Sequence, residues 1–304
     1  MTRLCEDRVV VVTGAGRGIG RQHALLLARC GARVVVNDAG VGADGVGGDP
    51  GPANEVAADI AAAGGTATAD CSDISSWDGA SQLVSAAIES YGRLDVMVAN
   101  AGILRDRTLV NMTEGEWDAV IAVHLKGTFA LAHHASRHWR DRAKLEGGDV
   151  KGRLITTSSA SGLYGNFGQI NYAAAKAGIA AFTVVAAREL ARFGVTANAI
   201  SPVAMTRMTK GLRERTAEEV AAISPRWVSP VVAWLASEES SDISGRVIEA
   251  DGNRLSVVEG WRRGPSSAPL SDPEGMGEVI RRLVGAAHPN APVNGKPFAT
   301  PFEP

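Results

Sequence analysis

Short runs of consecutive apolar residues recur along the chain, each closing on small or polar residues and each followed by a longer stretch with helical spacing. The runs are Val9–Val12, Arg33–Asn37, Ala67–Ala69, Leu94–Ala99, Leu154–Ile155, Thr196–Ile200 and Gly245–Ala250. Strands that are apolar at successive positions rather than alternate ones are covered on both faces, as in a parallel sheet between two helical layers. The intervening spacing predicts helices after the glycines at 14–20, from Asn54, over Ser81–Tyr91, from Thr113, from near Asn171 and over Ser229–Ser237. Thr113 with Glu116 reads as a capping box that opens its helix. Strand and helix alternate without a break in composition, which predicts one doubly wound α/β domain over residues 1–253.

Four stretches fall outside that rhythm. Residues 39–52 (AGVGADGVGGDPGP) form a glycine-rich insertion, and 141–152 a charged loop. Residues 203–225 are long, charged and weakly periodic, which suits a substrate lid. Residues 254–304 form an extension with a helix expected over Glu274–Val284, and Trp261 with its apolar neighbours is expected to pack on the domain. The last fifteen or so residues read as disordered.

Composition narrows the function classes. A net charge of −2 over 304 residues offers no basic footprint for nucleic acid and no polybasic patch for a membrane. The N-terminus lacks a long apolar signal core, and no run of apolar residues is expected to span a bilayer. Cys5, Cys30 and Cys71 are scattered without metal-ligand spacing, which fits reduced packing thiols in a cytoplasm. His133, His134 and His138 lack acidic partners and are expected on a solvated face, so no metal is expected.

The chemistry-bearing residues lie at the carboxyl ends of the strands. Thr13-Gly14-Ala15-Gly16-Arg17-Gly18-Ile19-Gly20 stands between a buried strand and a helix, where free N–H groups and the positive helix end make an anion site. Asp38 ends the second strand, where a carboxylate accepts both ribose hydroxyls of an adenosine and repels a 2′-phosphate, favouring NAD over NADP. Arg17 pulls the other way. Asp70 and Cys71 end the third strand, where an acid and a backbone N–H are placed to read an adenine edge. Asn100-Ala101-Gly102 ends the fourth. Tyr172 and Lys176 are four apart on one helix and share a face, so the cation is expected to lower the phenol pKa. Ser159 meets them from the end of the Arg153 strand, and the three together fit acid–base chemistry on an alcohol or carbonyl.

In this order and spacing the motifs resemble those of the short-chain dehydrogenases/reductases, across nearly the whole domain. The resemblance implies a Rossmann fold with a seven-stranded parallel sheet in three α/β/α layers, and a homodimer or homotetramer. It implies Tyr172 as catalytic acid/base, Ser159 as orienter of the reacting oxygen, and Lys176 on the nicotinamide ribose. Gly14, Gly18, Ile19 and Gly20 would line the pyrophosphate and Asn100–Gly102 the adenine ribose side. Pro202 and Thr206 would contact the nicotinamide, although Val203 replaces the usual glycine. His124 stands where most members carry Asn, a residue of the proton path to the Lys. NAGILRDRT, VHLKGTF, TSSASGLYGNFGQINYAAAK and TRMT are most similar to the (3R)-hydroxyacyl-CoA dehydrogenase domains of type 2 peroxisomal multifunctional enzymes and their stand-alone bacterial relatives. That similarity implies NAD-dependent oxidation of acyl-CoA thioesters of fatty-acid or steroid side-chain origin, with the hydratase step on another protein. A 3-oxoacyl-carrier-protein reductase, a hydroxysteroid dehydrogenase and a non-catalytic dinucleotide-binding protein are the alternatives.

Overall fold

The computed structural model describes residues 3–42, 45–204, 216–260, 262–269, 273, 275–288 and 291. Strand β1 (Val9–Thr13) passes through the glycine turn into α1 (Gly18–Arg29), followed by β2 (Arg33–Asn37), α2 (Gly51–Ala62), β3 (Thr66–Asp70) and α3 (Trp77–Tyr91). Next come β4 (Val96–Ala99), α4 (Glu114–Ile121), a π-helical segment Ala122–Lys126 and α5 (Gly127–Glu146). The chain continues through β5 (Arg153–Thr157), α6 (Ala160–Tyr164), α7 (Ile170–Leu190), β6 (Thr196–Pro202), α8 (Ala217–Ala222) and α9 (Ser229–Ala236). It closes with β7 (Val247–Ala250), β8 (Leu255–Val258) and α10 (Met276–Ala286).

The sheet runs β3-β2-β1-β4-β5-β6-β7-β8, parallel throughout except for the last pair. It has eight strands rather than the seven expected. Asp251 Oδ1 accepts from the N–H groups of Asn253 and Arg254 at 2.6 Å each and turns the chain back on itself. Leu255 then pairs antiparallel with Ala250, so the sheet extends beyond the boundary placed at residue 253. Asx turns of this kind are how Asp-Gly sequences close hairpins.

Alternation within each buried strand builds two cores. Val10, Val12, Val34 and Val36 join Leu27 of α1 and Val232 of α9 on one face. Val9, Val11 and Val35 join Leu83 of α3, Leu131 and Trp139 of α5 on the other. Successive valines therefore serve opposite layers, and the apolar runs are continuous for that reason. The sheet order reverses between β1 and β4, which opens a crevice at their carboxyl ends.

Two expectations about helices need correction. The segment Ile170–Phe193, 24 residues at mean hydropathy 1.4, is long and apolar enough to cross a membrane by length and composition. Here it is a core helix packed on β5 and β6, with Asn171, Lys176 and Thr183 buried along it. His133 and His134 do not simply project into solvent, since their rings lie 4.8 Å and 4.5 Å from the Trp77 indole. His138 Nε2 accepts from the N–H of Leu94. Among the described residues no cluster of His, Cys, Asp or Glu is arranged to hold a metal. The capping box forms, with Thr113 Oγ1 accepting from Glu116 N and Glu116 Oε2 accepting from Thr113 N at 3.0 Å. Trp261 and the final residues lie outside the described set, as do residues 205–215 of the segment read as a lid; α8 lies in its described remainder.

Candidate active site

Ser159 follows β5 with extended backbone and caps α6, its Oγ accepting from Ser161 N at 3.2 Å. Cap geometry fixes the side chain, because a hydroxyl that takes the first free helical N–H has one rotamer in which to do so. Tyr172 sits in the first turn of α7 and Lys176 one turn further on, as the spacing predicts. The Lys176 Nζ lies 5.5 Å from the centre of the Tyr172 ring and donates to Thr157 O at 2.6 Å.

The electrostatics differ from the sequence-based expectation. Lys176 is buried, and desolvation draws its pKa down to about 7. Burial pushes the Tyr172 phenol above its ordinary value; the Ser159 hydroxyl lowers it and the Asp106 carboxylate raises it again. The cation was expected to lower the phenol pKa, but it stands over the ring with its proton on a backbone carbonyl. Desolvation is therefore the larger influence.

His124 lies on the π-helical segment, 2% exposed, with its ring edge-on to Tyr172 at 5.1 Å. A π bulge is a one-turn insertion in an α-helix, found often at functional sites, and His124 is the residue of this one that is buried. The ring Nε2 lies 2.8 Å from Ile103 O and 3.1 Å from Ile103 N, so it is committed to the strap after β4 rather than to Lys176. Gly102 has no side chain because a Cβ there would stand 2.3 Å from His124 Cε1.

Burial lowers the His124 and His23 pKa values to about 3. Below the ordinary value of 6.5 the unfolded chain takes up protons that the folded one refuses until about 3, so this contribution to stability is complete above pH 6.5 and declines below it. Each buried ring contributes a slope of about 1.4 kcal/mol per pH unit within the window. Chemical denaturation between pH 7 and about 4.5, above most carboxylate titrations, should show stability falling with acid. His23→Gln should remove about one proton from that slope, and an unchanged slope would contradict the burial of a neutral ring.

The glycine turn and the catalytic side chains open on one cavity of about 1090 Å³. Cys71 and Asp38, after β3 and β2, line it together with Gly14, Arg17, Gly18, Ile19 and Gly20 after β1 and Asn100, Ala101 and Gly102 after β4. Ser159, Tyr172, Lys176, His124 and Pro202 line the far end. The cradle requires backbone without side chains: a Cβ on Gly20 would lie 2.2 Å from Gly14 O and 2.6 Å from Asn100 Nδ2. Such close backbone beside a helix N-terminus suits the pyrophosphate of a dinucleotide. Asn100 ties the crevice shut from below, its Nδ2 donating to Thr13 O at 2.9 Å.

Three predicted ligand residues stand differently. Asp70 does not reach the cavity; its carboxylate accepts from Asn37 Nδ2, Ser72 N and Ser72 Oγ at 2.7, 2.8 and 3.1 Å, and it locks β3 to β2. Thr206 lies outside the described residues. Asp38 lines the cavity, but its carboxylate also holds Gly16 N and Gly40 N, each at 2.8 Å. Two further contributors were not anticipated. Val41, from the glycine-rich insertion, packs with Ile103, Val120 and Tyr172, and Gln169 lines the cavity. The insertion carries no periodic signal that would place it, and Gln169 was legible only as part of a quoted motif.

A model of the family described as short chain dehydrogenase matches residues 8–217. The chain belongs to the short-chain dehydrogenase family. Hydroxyacyl-CoA dehydrogenase ChsB1 of Mycobacterium tuberculosis is 47% identical over 258 residues, covering 83% of this chain and 80% of that protein. Peroxisomal multifunctional enzyme type 2 of Drosophila melanogaster is 42% identical over 276 residues, 91% of this chain but 42% of that longer protein. The crystal structure of a short chain dehydrogenase from Mycobacterium avium superposes with a TM-score of 0.86 at 50% identity, covering 96% of this chain and all of that one. Within this short-chain dehydrogenase the motif residues at the glycine turn, Asn100–Gly102, Ser159, Tyr172 and Lys176 line one cavity.

Proposed function

We propose that the protein is an NAD-dependent dehydrogenase of (3R)-3-hydroxyacyl-CoA thioesters, which it interconverts with the 3-oxoacyl-CoA. The observation that carries the reaction type is the convergence of Ser159, Tyr172 and Lys176 on one cavity with the glycine turn. The acyl-CoA substrate class is supported by the relatives named hydroxyacyl-CoA dehydrogenase and peroxisomal multifunctional enzyme type 2.

The nicotinamide, when bound, supplies the hydride acceptor. Gly14, Gly18, Ile19 and Gly20 would hold its pyrophosphate, Asp38 the adenosine ribose, and Lys176 the nicotinamide ribose. For oxidation Tyr172 must act as the phenolate and remove the hydroxyl proton. The Ser159 Oγ accepts from Ser161 N, and its single proton, which favours the Tyr172 phenolate, would turn to the substrate oxygen when substrate binds. Lys176 holds a positive charge behind the phenol that is lost as pH rises through about 7, and His124 braces the strap at Ile103 against the same ring. A buried phenol with a raised pKa makes oxidation faster towards alkaline pH and reduction faster below it.

Asp38 favours NAD. An ionised carboxylate offers about four acceptor sites, and two are taken by Gly16 and Gly40, which leaves capacity for ribose hydroxyls. Asp38→Ala should lower the NAD over NADP preference on the order of tenfold, the size of a charged hydrogen bond, measured as the ratio of kcat/KM for the two cofactors. An unaltered ratio would remove the ribose contact. The substrate class is tested by comparing a (3R)-3-hydroxyacyl-CoA with a hydroxyacyl-carrier thioester and a free hydroxysteroid; preference for either of the latter would replace it.

A further inference from the structure

Ser159 is held in place by more than its own cap. Ser161 N donates to Ser159 Oγ at 3.2 Å, and the Ser161 Oγ donates to Gln169 Oε1 at 2.8 Å. The same Gln169 oxygen accepts from Asn166 Nδ2 at 2.8 Å, and Gln169 Nε2 donates to Asp106 Oδ2 at 2.8 Å. Gln169 stands at the start of α7, three residues before Tyr172. One amide thus joins the helix that carries the serine, the helix that carries the tyrosine, and the strap after β4. That strap is fixed a second time by Asn171, whose Nδ2 donates to Arg105 O at 2.9 Å and Glu116 O at 3.2 Å. Arg107 adds a parallel bridge to Gln169.

We propose that Gln169 is the positioning residue that aims Ser159 at the Tyr172 phenol, acting through Ser161 and anchored by Asp106. An amide suits the post because it accepts on one side and donates on the other, and here each side is engaged. The cap holds the Ser159 side chain, and Gln169 holds the cap, because it fixes Ser161, whose N–H the Ser159 Oγ accepts. Asp106 has a second effect. The groups facing the phenol are the Ser159 hydroxyl, the Asp106 carboxylate, Lys176 over the ring and the neutral His124 ring edge-on. Asp106 is the anion among them.

The inference rests on the dehydrogenase reading for its catalytic consequence but not for its first readout, which is the ultraviolet titration of the Tyr172 phenol, isolated by difference from Tyr172→Phe. Gln169→Ala should move that titration to higher pH, because the hydroxyl that favours the phenolate is no longer held against it. Asp106→Asn should move it to lower pH, because a neighbouring negative charge is removed. In turnover, Gln169→Ala should lower kcat on the order of tenfold with the NAD dissociation constant unchanged, as misdirection of one group by a fraction of an ångström does.

An exchange of polarity keeps the test decisive if the alanine variant folds poorly. Gln169→Glu preserves the acceptor towards Ser161 and Asn166 but sets two carboxylates against each other; Asp106→Asn added to it restores a donor on the opposite side. The double variant should recover the phenol titration and kcat towards wild type, where Gln169→Glu alone does not. A phenol titration indifferent to Gln169→Ala, or a double variant no better than Gln169→Glu, would overturn the inference. Wild-type protein inactive on every thioester but with the predicted titration shifts would instead overturn the substrate reading and leave the positioning role standing.

Discussion

Tyr172→Phe should lose turnover by on the order of a hundredfold or more, the usual size of a general acid–base contribution, while its NAD dissociation constant stays close to that of wild type. The substitution removes a single oxygen from a ring that apolar packing holds independently: Tyr172 packs against the cluster of Ile103, Val120 and Ala175 and stands edge-on to His124. Lys176 keeps its bond to Thr157 O, so the cofactor end of the site is unaltered. What goes is the group proposed to exchange a proton with the substrate hydroxyl while Ser159 holds the oxygen. Isothermal titration with NAD beside steady-state turnover separates the two effects. Loss of NAD binding in proportion to turnover would mean that the phenol serves the cofactor rather than the chemistry.

Gly20→Ala should weaken NAD binding by on the order of ten- to a hundredfold. The added Cβ would meet Gly14 O at 2.2 Å and Asn100 Nδ2 at 2.6 Å, and neither is the far end of a flexible side chain. Asn100 is bound to Thr13 O, so it cannot swing aside without freeing a backbone acceptor. Relief must come from displacement of the turn itself, and overpacking of this kind costs about 1–3 kcal/mol. The displaced backbone is the surface that would face the pyrophosphate, so the cost falls on binding and not only on folding. Fluorescence titration with NAD and a denaturation curve for the same variant distinguish the two; affinity equal to wild type would show that the turn does not contact the cofactor.

The parallel order, the crevice at the glycine turn and the convergence of Ser159, Tyr172 and Lys176 on it were legible because each rests on local chemistry. Val9–Val12 and Val96–Ala99 are apolar at every position since both sheet faces are covered, and Tyr172 and Lys176 share a face by helix geometry alone. The eighth strand was missed because its two outward residues, Leu255 and Val257, are 67% and 58% exposed and give no core signal; the Asp251 turn was the cue. An acid at a strand end reads the same in sequence whether it faces a ligand or, as Asp70 does, holds Asn37 and Ser72. The direction of the phenol pKa depended on burial, which no spacing of residues reports. Gln169 illustrates the remaining limit: its three side-chain partners lie 3, 8 and 63 residues away, and the distant one only the fold brings near.

The most direct test is a single turnover, in which protein in excess over a (3R)-3-hydroxyacyl-CoA is mixed with NAD and the absorbance of reduced nicotinamide is followed. The account predicts reduced nicotinamide stoichiometric with the thioester, faster with rising pH, absent with the (3S) enantiomer and absent in Tyr172→Phe. NAD bound but no reduced nicotinamide from the (3R) thioester, or equal yields from Tyr172→Phe, would contradict it.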